Sequence, residues 1–184
     1  MYKSFEALFG AKLIDPNAMA LATADKLGRP SVRMVLLKGA DARGFVFFTN
    51  YESRKGRELA ENPHAALVMH WAELEREICV TGAVTQLPRA ESEAYFRSRP
   101  RGARLAAWVS KQSAVVPNRQ YLEQQMHEVS TRFSEDVPIP DYWGGYVLAP
   151  VEIEFWQARP SRLHDRLRYA RQPDGSWKIE RLSP

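Results

Sequence analysis

Three runs decide the fold: A-M-A-L-A-T-A at Ala18–Ala24, S-V-R-M-V-L-L-K at residues 31–38, and F-V-F-F-T-N at residues 45–50. Each has the length and apolar content of a strand. D-K-L-G-R-P at residues 25–30 separates the first two, with Gly28 free to take a positive φ, and residues 41–44 turn again before the third. Short strands joined by tight turns predict an antiparallel meander. Farther along, residues 65–71 and 76–87 read as two more strands and residues 144–156 as a long one. Residues 166–170 and 177–182 read as a hairpin across Pro173, Asp174 and Gly175. Helices are expected at residues 4–13, where Phe5, Leu8 and Phe9 share a face, and from the capping residue Ser53 to the Asn62-Pro63 stop. Others are expected at residues 88–97, 103–109 and 118–133, the last capped by Asn118 and striped by Tyr121, Leu122, Met126 and Val129. No helix separates consecutive strands regularly, which argues against a doubly wound parallel sheet. The expected class is mainly β with peripheral α: a closed antiparallel barrel with helices at its ends. Residues 1–184 form a single domain, with the helical segments around 88–133 packed against the barrel.

At 184 residues, 45% hydrophobic and 26% charged, the chain has an ordinary globular composition. The net charge is +4, but the basic residues are interleaved with acids. That pattern does not suit a nucleic acid, whereas anionic small molecules fit it. The single cysteine, Cys79, excludes a disulfide framework and a cysteine-based metal centre, and it fits a reducing cytoplasm. The first residues lack the features of a signal peptide, and no run approaches the roughly 20 apolar residues of a membrane span. The expectation is a cytoplasmic protein with no metal, no nucleic acid and no membrane.

Several stretches look built for an anion. In E-F-W-Q-A-R-P-S-R-L-H-D-R at residues 154–166, Arg162, His164 and Arg166 alternate with Leu163 and Asp165. If this segment is extended, two guanidiniums and an imidazole share one face a few ångströms beyond Trp156. Such a face suits a planar anionic ligand. Arg33 and Lys38 stand five apart, so they face opposite ways on a regular strand. In T-N-Y-E-S-R-K at residues 49–55, Ser53, Arg54 and Lys55 open a helix after Thr49. Cations at that end oppose the helix dipole unless an anion joins them. Tyr95 and Arg99, at i and i+4, can grip a phosphate from one helical face. W-V-S-K-Q-S at residues 108–113 offers the Gln112 amide and the Ser113 hydroxyl to the edge of a heterocycle. Glycine-rich nucleotide signatures are absent.

In their order, R-M-V-L-L-K, F-F-T-N with S-R-K, Y-F-R-S-R-P-R, W-V-S-K-Q-S, W-G-G, E-F-W-Q with R-L-H-D-R, and W-K-I-E-R-L-S-P resemble the pyridoxamine 5'-phosphate oxidase family. The resemblance covers nearly everything after Asp15. It implies an FMN-binding split barrel of Greek-key type and a homodimer with FMN at the subunit interface. FMN would be held by Arg33, Met34, Val35, Leu36, Leu37, Lys38, Phe48, Thr49, Ser53, Arg54, Lys55, Glu77, Gln112, Ser113, Trp156 and Arg166. Lys38, Tyr95 and Arg99 would hold the substrate phosphate. Arg162 and His164 would cover the pyridine ring and act catalytically. The implied reaction oxidises the 4' carbon of pyridoxine or pyridoxamine 5'-phosphate to the aldehyde, with O2 as acceptor and hydrogen peroxide released. Departures from the family pattern are Glu77 for a usual Gln, Ala103 for a usual Ser, Phe48 for a common Tyr, and few residues before the first strand. Two other readings are a flavin oxidase on the same scaffold acting on a phenazine precursor, and a non-enzymatic FMN or vitamin carrier. The retained Lys38, Tyr95 and Arg99 speak against the first, and Arg162 and His164 against the second.

Overall fold

The computed structural model describes residues 15–184, so the helix expected over residues 4–13 lies outside the described residues. Nine strands and four α-helices occupy them: β1 (Ala18–Ala24), β2 (Pro30–Leu36), β3 (Gly39–Asp41), β4 (Gly44–Asn50), α1 (Arg54–Glu61), β5 (His64–Trp71), β6 (Arg76–Gln86), α2 (Arg89–Ser98), α3 (Arg101–Val109), α4 (Arg119–Arg132), β7 (Trp143–Gln157), β8 (Asp165–Arg171) and β9 (Trp177–Arg181). All pairings are antiparallel. The order is β2-β1-β5-β6-β7-β4-β3, with β8 on β7 and β9 on β8.

The barrel is split, not closed as the strand spacing predicts. β2 ends at Leu36, where the chain leaves one edge of the sheet for the other. The Leu37 N–H donates to the Asn17 carbonyl and the Lys38 N–H to the Val46 carbonyl, each at 2.8 Å. Among the described residues no ladder joins β2 to β4, and that seam becomes the site. β3, with only three residues, shows no period that sequence reading can catch.

Inside the curl, the inward positions of alternating strands meet. Met19, Leu21, Phe47, Val80 and Leu148 are fully buried together, each adding about 1.5–3 kcal/mol by leaving water. A second cluster joins Phe96 of α2, Leu105 and Ala107 of α3, Val137 and Trp143. This cluster fastens the helical layer to the start of β7. The helix with the clearest sequence pattern, α4, buries no residue fully; Met126 and Val129 of its stripe reach the second cluster, while Tyr121 stays exposed. β7 joins two parts of the sheet. Its first half pairs with β4, its second half with β8, and β6 runs along both. The register shifts where Gly82 faces Pro150 and Thr81 faces Glu152, so Val151 is the extra residue of a bulge.

Candidate functional site

The seam opens a cleft of about 390 Å³. Met34, Val35, Leu36 and Lys38 line one side, Phe48, Thr49 and Asn50 the other, and Tyr95, Arg99, Ala103 and Trp143 come from the helical layer and the start of β7. A second cleft of about 400 Å³ lies between residues 31–34 of β2, Arg54 and Lys55 of α1, and Gln112 and Ser113. Met34, Lys55 and Gln112 line both clefts, so the two adjoin there.

The start of α1 forms as its sequence dictates. Ser53 caps it, its Oγ accepting the Gly56 N–H at 3.3 Å. Residue 56 must be glycine, because a Cβ there would lie 2.1 Å from the Tyr51 carbonyl oxygen. The Arg54 N–H donates to Ser113 Oγ at 3.1 Å, tying the 108–113 segment to this helix end. Lys55 is buried, and its Nζ donates to Gln112 Oε1 at 2.8 Å and Thr49 Oγ1 at 3.2 Å. Burial, reinforced by the charge of Arg33 and opposed by Glu58, brings its ammonium down to about 8. The first turn of α1 has no acid. A helix N-terminus, a buried amine and partner hydroxyls make a phosphate-accepting corner. These residues fit the FMN phosphate that the sequence assigns to them.

Arg33 reaches the second cleft, but its terminal nitrogens are committed within the chain. Nη1 donates to the Leu21 carbonyl at 3.1 Å and to Thr23 Oγ1 at 2.5 Å; Nη2 donates to Ser31 Oγ and, at 3.3 Å, to Glu58 Oε2. Glu58 is buried and also accepts from Thr23, Ser31 and Arg54. Burial alone would push its carboxyl up; the hydrogen bonds from Ser31, Thr23 and Arg54 and the charge of Arg33 outweigh it and hold the group at about 2. Sequence reading missed Glu58. The available signal was its i+4 spacing from Arg54 in a capped helix.

At the other end of the first cleft, Phe48 stacks between two rings. Tyr95 lies at 3.9 Å centroid separation and Trp143 at 5.5 Å. Phe48 here offers a ring face and no hydroxyl. The Arg99 guanidinium sits 4.7 Å from the Trp143 ring centroid. Arg99 lies one residue beyond α2 in extended conformation, so its pairing with Tyr95 spans a helix end and not a helical face. Its Nη1 is buried without a hydrogen-bond partner, and burial lowers its pKa. The structure therefore brings Lys38, Tyr95 and Arg99 to one cleft, as expected. Ala103 lines the same wall without a hydroxyl. Leu37 is not brought there: its side chain joins the core, and its backbone N–H and C=O both bond Asn17. Trp143, Asn50 and Ser110 line the cleft and escaped the residue-level reading, although Trp143 opens the W-G-G motif.

Trp156, Arg162, His164, Arg166 and Glu77 line neither cleft of their own chain. They gather where β6, β7 and β8 run side by side, with Glu77 opposite Trp156 and Trp156 opposite Arg166. The His164 ring lies 4.6 Å from that of Trp156. Arg166 makes a bidentate pair with Glu154 at 2.6 and 3.0 Å. Glu77 accepts the Cys79 thiol at 3.1 Å; burial, then Glu77, pushes that thiol up to about 12. The extended reading of residues 162–166 is corrected. Arg162 belongs to a 3-10 turn, Pro160–Arg162, with left-handed backbone at Ser161 and Arg162, and extended structure resumes only at Asp165. Arg162 therefore does not share a strand face with His164 and Arg166. Among the described residues no helix is long and apolar enough to cross a membrane.

Comparison with known proteins places these observations. Residues 6–133 match the family described as pyridoxamine 5'-phosphate oxidase, and residues 143–184 match the pyridoxine 5'-phosphate oxidase C-terminal dimerisation region. A pyridoxine/pyridoxamine 5'-phosphate oxidase of Burkholderia mallei (strain SAVP1) is 57% identical over 182 residues, covering 98% of this chain and 85% of that one. One from Cupriavidus taiwanensis is 57% identical over 180 residues, with the same coverage. Among solved structures, PhzG from Burkholderia lata 383, in complex with tetrahydrophenazine-1-carboxylic acid, superposes with a TM-score of 0.89 at 35% identity. That match covers 94% of this chain and 84% of PhzG. A pyridoxamine 5'-phosphate oxidase-related, FMN-binding protein from Nostoc punctiforme has a TM-score of 0.75 at 18% identity, over 94% and 90% of the two chains, a likeness of fold.

Proposed function

The chain belongs to the pyridoxamine 5'-phosphate oxidase family, and on that premise we propose that it is an FMN-dependent oxidase converting pyridoxine or pyridoxamine 5'-phosphate to pyridoxal 5'-phosphate. O2 would be the acceptor, with hydrogen peroxide released. The observation that carries this reading is the buried, unpartnered Arg99 Nη1 in the cleft shared with Tyr95 and Lys38. A buried N–H without an acceptor is costly, and a phosphate oxygen meets that need with a charge-assisted bond.

FMN would be held through its phosphate at the start of α1 by Arg54, Lys55 and Ser113, with Thr49 and Gln112 alongside. When bound, FMN supplies the hydride acceptor and the reaction with O2. The chain's own residues bind and orient. Lys38, Tyr95 and Arg99 anchor the substrate phosphate, and Arg162 and His164 hold the ring and its 4' substituent in line for transfer. Arg162 and His164 do not reach the clefts of their own chain, so they would come from the other subunit of a homodimer. The matched dimerisation region supports that assembly. So do two exposed apolar stripes, Val32, Met34 and Leu36 on β2 and Val151, Phe155 and Ile179 on β7 and β9.

Purified protein should be yellow, release FMN and not FAD, and generate peroxide from pyridoxine 5'-phosphate but far less from pyridoxine. A colourless protein that takes up no FMN on titration would falsify the cofactor assignment. The likeness to PhzG favours a second reading, oxidation of a phenazine-type carboxylate, since Arg99 can meet a carboxylate as well as a phosphate. Peroxide release from a reduced phenazine carboxylate, and none from the vitamin phosphates, would select it.

A further inference from the structure

The turn that carries Arg162 is held by groups that the reading above leaves unused. Ser161 and Arg162 have φ of 59° and 60°, and neither is glycine. Backbone of this kind persists only where its surroundings impose it. Asp165 does so from the far end of the turn. One carboxylate oxygen takes Arg159 Nε at 2.7 Å, closing the turn at its mouth, and the other takes Arg181 Nη1 of β9 at 2.5 Å. The tail continues the strap: the Leu182 N–H donates to the Arg166 carbonyl at 2.9 Å, and Arg166 Nη1 donates to the Ser183 carbonyl at 3.0 Å. The C-terminal W-K-I-E-R-L-S-P thereby gains a task. Inside the closed turn, the Arg159 backbone N–H donates to His164 Nδ1 at 3.2 Å. A backbone N–H can only donate, so Nδ1 keeps its lone pair and the neutral ring carries its proton on Nε2.

We propose that Asp165, clasped between Arg159 and Arg181, is a positioning residue that sets the Arg162 turn and makes the neutral His164 an Nε2–H donor. This rests on the reading that Arg162 and His164 meet the substrate. The clasp residues are too exposed for their ion pairs to add much to stability. Loss of the clasp should therefore appear in geometry and rate, with little change in melting temperature.

The test uses the FMN-loaded protein with ¹⁵N-labelled histidine, of which the chain has four. In the wild type, at a pH where the ring is neutral, His164 should show a protonated Nε2 and a bare Nδ1. Asp165→Asn should give a tautomer mixture and slow anaerobic flavin reduction by saturating pyridoxine 5'-phosphate by about tenfold, with substrate affinity changing less. Arg181→Gln, which leaves the turn's sequence intact, should shift both readouts the same way, and it carries the test if Asp165→Asn fails to load FMN. A wild-type tautomer pattern overturns the proposal whatever the rate. Wild-type reduction in a variant with a changed pattern also overturns it. Arg162→Ala is the control for the underlying reading. Unchanged reduction in that variant sinks the catalytic assignment of Arg162, and the tautomer signal alone then judges the clasp.

Discussion

Arg33 and Arg99 stand at opposite ends of the adjoining clefts. Both are partly buried, and burial is the first cause lowering the pKa of each. Their surroundings differ. Every terminal N–H of Arg33 has an acceptor in the chain, and one of these is the Glu58 carboxylate. Arg99 lies against the rings of Trp143 and Phe96, and its Nη1 has no acceptor. A guanidinium paired inside the fold is framework. One buried on aromatic faces with an unmet N–H is a receptor for an anion that arrives later.

The largest test of that contrast is Glu58→Ala. It strands Arg33 in the interior and should cost about 3–5 kcal/mol in denaturant unfolding. The acid limb gives the sign. Glu58 is held at about 2, below its ordinary 4.5. Its contribution is complete above the ordinary value and is lost as pH falls from there through about 2. Glu58→Gln should flatten that part of the stability curve. If Glu58→Ala unfolds at the wild-type midpoint, Arg33 is not framework.

Arg99→Ala should behave in the opposite way. Stability should hold or rise slightly, because a buried unmet group is gone. Affinity for the phosphorylated substrate should fall by about 1.5–3 kcal/mol, with kcat nearly intact, since phosphate binding is uniform between ground and transition states. A large drop in kcat at saturation would move Arg99 from anchor to reaction centre.

The smallest effect belongs to Lys55, between the two extremes: buried, partnered by neutral oxygens, and lowered to about 8. A bound phosphate favours the ammonium and raises its pKa. FMN affinity should therefore be level below about pH 8 and fall by up to tenfold per pH unit above it, with proton uptake on binding in calorimetry. Level affinity from pH 7 to 10 would show that Lys55 does not touch the phosphate.

Legibility followed locality. β1 coincides with its sequence reading, and the caps at Ser53 and Asn118 are where expected, because period and capping are written in neighbouring residues. Tyr95 and Arg99 were found for the same reason. The Arg33–Glu58 bond joins residues 25 apart, on a strand and a helix that only the folded sheet brings together. The turn at Ser161 and Arg162 was misread as extended because its shape depends on Arg181, at the far end of the hairpin. The seam between β2 and β4 was missed because strand spacing says how many strands there are, and not whether the first edge finds the last.

β7 carries Trp143, which lines the cleft, near one end, and Trp156, which meets His164, near the other. Extended chain of that length spans roughly 40 Å. One molecule thus offers half of each of two sites. On the proposed two-fold assembly, a chain bearing Arg99→Ala and one bearing His164→Ala, each inactive alone, form mixed pairs in which one site collects both lesions and the other has neither. Two dead proteins, refolded together, regain activity. In a cell expressing two alleles, the severity of one lesion would depend on which half of the site the other allele leaves whole.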